Sequence, residues 1–387
     1  MATYKRLPVT FARGEGAWLW DTDGKRYLDA LSGIAVCGLG HAHPAVRDAI
    51  CEQAGLLIHT SNIYGIAEQE RLGAMLTEAA GMDRVFFSNS GAEANEAAIK
   101  LARLHAHRRG IENPAILVAE GSFHGRTLAT LSATGNRKVQ AGFDPLVQGF
   151  VRVPFDDLEA IEIAAGNRPN IVAILVEPIQ GEGGINIPAD DYLARLRALC
   201  DREGWLLMLD EIQTGMGRTG RLFAHQHAGI QPDVMTLAKA LGNGVPIGAC
   251  LARGAAAEVF TPGTHGSTFG GNPLTCRVAR TVLETIASQD LVANAAEQGE
   301  FLLDAFRAAL QGIKGVVAIR GRGLMLGIEL DRPCADLVGR ALDAGLLINV
   351  TAERVIRLLP PLILERPQAQ QLVDSLTALI QGFLGDA

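Results

Sequence analysis

Three short stretches of the chain place side chains where they could do chemistry. Leu206–Leu209 is an apolar run that ends in Asp210 and Glu211. In an open α/β sheet ligands bind beyond the carboxyl ends of strands, so Asp210 is either a ligand-facing acid or a capping or metal-binding one. A second apolar run, Val234–Ala238, delivers Lys239 to a comparable position, followed by Gly242-Asn243-Gly244-Val245-Pro246. Lysine is scarce here, with six copies against 29 arginines, and Lys239 is either a solvated loop residue or a buried amine in reach of a ligand. The third stretch, Val85–Phe87 followed by Ser90-Gly91-Ala92 and a helical pattern, reads as strand, small-residue turn and helix start. Amide groups at a helix N-terminus have no intrahelical acceptor and carry partial positive charge, so this turn is either a simple cap or a phosphate cradle. It matches neither the Walker pattern nor the dinucleotide fingerprint. Taken together, a phosphate cradle, an acid and a lysine meet the three handles of pyridoxal phosphate: its phosphate, ring nitrogen and aldehyde.

The elements that must position these groups follow from hydrophobic patterning. Short apolar runs at Val85–Phe87, Ala115–Val118, Ile171–Val176, Leu206–Leu209, Val234–Leu237 and Gly248–Ala252 read as buried strands, with helical periodicity at Ala92–Arg109 and Asp190–Glu203 between them. Alternation of this kind predicts an α/β fold with a mostly parallel sheet covered on both faces. After Asn272-Pro273 the pattern changes to long helices through Leu310, a β-like region over Val316–Leu330, a strand at Val355–Leu358 and a final helix over Pro367–Leu384. Strand signals at Ala17–Trp20 and Arg26–Asp29 flank the turn Asp21-Thr22-Asp23-Gly24. We therefore expect an N-terminal segment, 1–45, packing with the small unit, a large ligand-binding domain, 46–275, and a smaller α+β C-terminal domain, 276–387.

Composition excludes several classes. The chain has 387 residues, 48% hydrophobic and 20% charged, with a formal net charge of −7, which disfavours nucleic acid as a partner. The six cysteines form no C-x-x-C pair, so neither a disulfide framework nor a zinc ribbon is expected, and they read as small buried hydrophobes. No signal-peptide pattern opens the chain and no apolar run is long enough for a membrane span, which makes a cytoplasmic location the expectation. The histidine pairs His41/His43, His105/His107 and His225/His227 lack a metal-site spacing, and no metal is expected.

Beyond these local readings, the sequence resembles the class III, or ornithine-type, aminotransferases of pyridoxal-phosphate fold type I. The resemblance runs from end to end through Gly38-Leu-Gly-His41-Ala-His-Pro44, Ser88-Asn-Ser-Gly-Ala-Glu-Ala-Asn95, Ser122-Phe-His-Gly-Arg126, Glu177-Pro-Ile-Gln-Gly-Glu182, Asp210-Glu-Ile-Gln213, Leu237-Ala-Lys239 and His265-Gly-Ser-Thr268. It implies Lys239 as the lysine that carries the cofactor aldehyde and serves as general base, with its pKa shifted down from about 10.4. Asp210 is implied as the ring-nitrogen partner, Gln213 as donor to the ring hydroxyl oxygen, and Phe123 and Ile212 as the two faces of a sandwich. Gly91 and Ala92 are implied as backbone phosphate contacts, Ala92 replacing a frequent threonine. Thr268 would reach the phosphate of a neighbouring subunit's cofactor, making a homodimer with shared sites, and Ser267 would lie near the substrate.

Within the class, the pattern is most similar to the acetylornithine-using branch. A dicarboxylate such as 2-oxoglutarate calls for two arginines, each a planar fork suited to a carboxylate, and Arg126 and Arg357 are the implied pair. The amine donor N-acetylornithine has no carboxylate at its reacting carbon, and Glu182 is implied as the group that pairs with Arg357 for that substrate and swings away for the dicarboxylate. Ile34 stands near where free-ornithine enzymes carry a tyrosine. Rivals are succinylornithine, N-acetyl-lysine or succinyl-diaminopimelate as donors, a 4-aminobutyrate or other ω-amino acid aminotransferase, and a non-catalytic binding protein on the same fold.

Overall fold

The computed structural model describes residues 1–385. Its centre is a seven-stranded sheet of β4 (Arg84–Ser88), β5 (Ala115–Ala119), β6 (Phe150–Val153), β7 (Ile171–Val176), β8 (Leu206–Asp210), β9 (Val234–Leu237) and β10 (Gly248–Ala252), in the order β4-β10-β9-β8-β7-β5-β6. β10 is antiparallel to both neighbours, and β9, β8, β7, β5 and β6 are parallel throughout, so six of the seven strands share one direction. Consequently Ser88, Glu177, Asp210 and Lys239 all lie off the same edge.

Burial explains why these strands are near-continuous apolar runs. Ile116 and Val118 of β5 join a core with the helix Gly91–Arg108 on one face, while Ala115, Leu117 and Ala119 join a second core with the helix Tyr192–Glu203 on the other. Every residue of β7 is buried, as a sheet covered on both sides requires.

Two smaller sheets flank this body. The N-terminal meander of β1 (Phe11–Glu15), β2 (Trp18–Asp21) and β3 (Arg26–Asp29) is completed by β13 (Leu346–Leu347), which pairs in parallel with β3. β11 (Val316–Arg322), β12 (Met325–Leu330), β14 (Asn349–Thr351) and β15 (Val355–Leu358) form an antiparallel sheet in the order β11-β12-β15-β14, backed by the helix Leu291–Ala309, on which the helix Arg366–Gly385 packs. The helix Pro273–Ser288 packs on the helices Pro44–Leu56 and Ala67–Ala80.

Sequence patterning located six of the seven central strands, but not β6, β1 or the helix Leu158–Asn167. β6 and β1 lie at sheet edges, where burial is incomplete and the apolar run is broken by arginines. One expectation is corrected: Cys51 is exposed and Cys37 half-buried, so only Cys200, Cys250, Cys276 and Cys334 act as buried hydrophobes. No helix among the described residues is long and apolar enough to cross a membrane.

Candidate active site

A cavity of about 400 Å³ opens at the strand edge where these groups converge. Gly91, Ala92, Phe123, Arg126, Glu182, Asp210, Ile212, Gln213 and Lys239 all line it. Ser90 caps the helix Gly91–Arg108, its side chain accepting from Glu93 N at 3.2 Å. The cap satisfies one of the free first-turn amides and leaves those of Gly91 and Ala92 at the cavity wall. A Cβ on Gly91 would stand 2.8 Å from Cδ1 of Ile212, so the close approach of turn and apolar wall depends on glycine.

Asp210, 4% exposed, is oriented by a ring of donors. Asn95 Nδ2 donates to its Oδ2 at 2.8 Å, His124 Nδ1 lies 2.8 Å from the same oxygen, and Ile212 N donates to Oδ1 at 3.1 Å. Asn95 is itself fixed by Thr236, whose hydroxyl donates to Asn95 Oδ1 at 2.8 Å, and by donating to the His124 carbonyl at 2.8 Å. Behind the ring, Glu177 accepts from Phe123 N at 2.9 Å and from Gly181 N at 3.1 Å. Burial raises the Glu177 carboxyl to about 7, against the pull of His124. His124, Asn95 and Glu177 sit inside the motifs quoted above, but only their burial around Asp210 shows what they do.

Lys239 follows β9 with φ at +45°, a left-handed conformation that costs a side-chain-bearing residue roughly 1–3 kcal/mol and is characteristic of functional positions. Its amine is buried, which lowers its pKa to about 8; Glu182 opposes the shift and Arg357 adds to it. The downward shift expected of a basic lysine at neutral pH is present.

Arg357 on β15 is fully buried. Its Nε donates to Asn349 Oδ1 at 3.1 Å and its Nη1 to Glu182 Oε1 at 2.5 Å, with Gln213 Oε1 3.5 Å away, while Nη2 has no partner. Glu182 therefore stands between the cavity and a buried guanidinium, and removing it would strand a charge at a cost of about 3–5 kcal/mol. Arg126, on the cavity wall, is exposed and rests over the Phe123 ring at 5.6 Å. Ser267 and Thr268 are placed differently: they line a neighbouring surface hollow with His265 and Phe269, outside the main cavity.

The residues present fit pyridoxal phosphate. Bare amides suit the phosphate, a buried carboxylate suits a protonated ring nitrogen, an apolar side chain and an aromatic ring suit the two ring faces, and a buried amine suits the aldehyde.

Comparison with known proteins agrees with this geometry. The family described as "Aminotransferase class-III" matches residues 1–380. An acetylornithine aminotransferase of Nitrosomonas europaea is 61% identical over 384 residues, covering 99% of this chain and 98% of that one. One from Methanothermobacter thermautotrophicus is 48% identical over 380 residues, covering 98% and 96%. Among solved structures, ornithine aminotransferase of Toxoplasma gondii superposes with a TM-score of 0.96 at 36% identity, covering 100% and 93% of the two chains. N-acetylornithine aminotransferase of Stenotrophomonas maltophilia gives 0.87 at 39% identity, covering 100% and 99%.

Proposed function

The chain belongs to the class III aminotransferases and is a pyridoxal-phosphate-dependent transaminase, and on that premise we propose that it transfers the terminal amine of N2-acetyl-L-ornithine to 2-oxoglutarate, giving N-acetylglutamate 5-semialdehyde and glutamate. The Glu182–Arg357 pair carries this reading. Arg126 on the cavity wall and Arg357 behind Glu182 offer two forks for a dicarboxylate, and an acid that neutralises one of them accommodates a donor with a carboxylate at only one end. Arg126 then holds the distal carboxylate of the donor, and Ile34, an apolar side chain, stands near where a tyrosine would serve free ornithine. The names of the curated relatives support the same donor, and with it a step of arginine synthesis.

When bound, pyridoxal phosphate supplies a carbonyl for amine exchange and a ring that accepts electron density. Lys239 would hold it through Nζ, the Gly91 and Ala92 amides its phosphate, Asp210 its ring nitrogen, Gln213 its ring oxygen, and Phe123 and Ile212 its faces. Lys239 Nζ would serve as the base that takes a proton from the amine-bearing carbon of the donor and, once protonated, as the acid that gives it up again. Asp210, its carboxylate oriented by three donors, would keep a ring-nitrogen proton in place.

The site is proposed to be completed in a homodimer. Thr268 and Ser267 lie outside their own cavity beside the exposed Phe269, and Asn62, which donates to Ser267 O at 2.9 Å, precedes the exposed Ile63 and Tyr64; these apolar side chains suit burial against a second copy. A large cofactor-binding domain over 46–275, with a smaller one over 276–387 that contributes Arg357, completes the arrangement.

The substrate is tested by kcat/KM for acetylornithine, succinylornithine, ornithine and 4-aminobutyrate, each with 2-oxoglutarate. Acetylornithine is expected to be the best donor; a stronger preference for any other overturns the assignment. Sedimentation at working concentration is expected to give a dimer, and a fully active monomer would remove the shared-site proposal.

A further inference from the structure

Glu182 sits at the tip of a tight hairpin whose ends, Gln180 and Asn186, bond each other through both backbone pairs at 3.1 Å. Each carbonyl of the tip is engaged. Gly181 O accepts from Gly184 N at 3.4 Å, Glu182 O from the Thr351 hydroxyl, and Gly183 O from Asn186 Nδ2 at 3.1 Å. The last two belong to one side chain: Arg320, on β11, donates from Nη2 to Gly184 O at 2.6 Å and from Nε to Ile185 O at 2.8 Å. Its third arm, Nη1, donates to Glu329 Oε2 at 2.6 Å, and Glu329 is also paired with Arg354 at 2.9 Å. One of the clamped residues, the β-branched Ile185, holds a strained backbone with φ at +54°, while Gly184, at +116°, occupies a region open to glycine.

From this we infer that Arg320 is a positioning residue for substrate selection: by fixing the backbone of the Glu182 turn it holds the carboxylate on Arg357, so that the gate opens by side-chain rotation alone while the turn stays still. The inference rests on the reading of Glu182 as a gate. Its physical content is entropic. A carboxylate on a fixed backbone loses only side-chain freedom when it pairs with Arg357, whereas on a loosened turn it must also order the backbone. Loosening the turn therefore raises the fraction of open gate, and a ligand that needs both arginines binds more tightly in proportion to that fraction. General damage to the site has the opposite sign.

The test is calorimetric binding of glutarate to the purified holoenzyme, with pentanoate as a one-carboxylate control. Arg320→Met, which leaves Glu329 paired with Arg354, is expected to tighten glutarate at least three-fold and leave pentanoate unchanged. Arg320→Lys, able to reach one carbonyl but not two, shifts it less. Thr351→Val, which releases the Glu182 carbonyl, shifts it in the same direction and carries the test should the Arg320 variants not fold. In a Glu182→Ala background the Arg320 and Thr351 substitutions are expected to change glutarate affinity no further, because they act through Glu182. Weaker or unchanged glutarate binding in these single variants, or an equal shift in the Glu182→Ala background, overturns the positioning role. If Glu182→Ala by itself leaves glutarate affinity unchanged, the gate reading falls first, and this inference with it.

Discussion

Replacing Asp210 by asparagine isolates what its charge does. The amide keeps the size of the carboxylate, and its oxygen can occupy the Oδ2 position, where Asn95 and His124 both bring donors at 2.8 Å. The NH2 group is then forced to the Oδ1 position, against Ile212 N, which donates there at 3.1 Å in the native chain. A donor thus replaces an acceptor on the side available to a ring nitrogen, and the ring loses its buried anionic partner. Breaking a buried ion pair by removing one member costs about 3–5 kcal/mol. If that loss is felt in the proton-transfer step, at 1.36 kcal/mol per tenfold it slows the step about 10²- to 10⁴-fold. The assay is single-turnover spectroscopy of the cofactor on mixing with acetylornithine, alongside thermal unfolding, which is expected to shift by only a few degrees because Asn95 and His124 keep an acceptor. Asp210→Glu retains the charge at the wrong depth and is expected to fall between the two. A half-reaction rate for Asp210→Asn within tenfold of wild type would refute the ring-nitrogen assignment.

Two further outcomes follow from the same site. Burial lowers the Lys239 amine to about 8, and only the neutral amine attacks a carbonyl, so the rate at which cofactor-free protein captures pyridoxal phosphate is expected to rise with pH through about 8 and level off above it. At pH 7 about one amine in ten is then neutral, on the order of 250 times the fraction of an unshifted lysine, and a capture profile still climbing toward about 10 would contradict the burial seen here. Gly91→Ala places a Cβ 2.8 Å from Ile212 Cδ1 and pushes that side chain toward the ring face. Overpacking of about 1–3 kcal/mol predicts cofactor retention weakened roughly 5- to 160-fold, read by dialysis and absorbance, and unchanged retention would show that Ile212 does not bound the ring.

How much of this was legible in the sequence depends on what each residue is surrounded by. β5, β7, β8, β9 and β10 are readable because a strand covered on both faces is apolar at nearly every position, whereas β6, at the sheet edge and interrupted by Arg152, offers no run to read. The acid and the lysine were legible for a related reason: each ends an apolar strand, so a charged side chain appears where the pattern stops. Cys51 misled, since cysteine carries no sign of which helix face it occupies.

The groups that restrain the chemistry had no comparable signal. Asn95 lies within a helix, where its side chain would ordinarily be read as solvated, and its meaning depends on Thr236 and Asp210, more than a hundred residues further along. Arg320 is harder still, because nothing in a set of 29 arginines distinguishes the one whose two nitrogens reach Gly184 and Ile185 from the one that pairs with a surface glutamate. A reactive group can be recognised by its type and its place at the end of a strand. A group that holds it still is recognised by which lone pairs it fills, and those belong to backbone carbonyls that every residue possesses. Substrate choice in this chain is therefore expected to respond to substitutions on β11 and β14, which motif comparison around Lys239 and Asp210 would pass over.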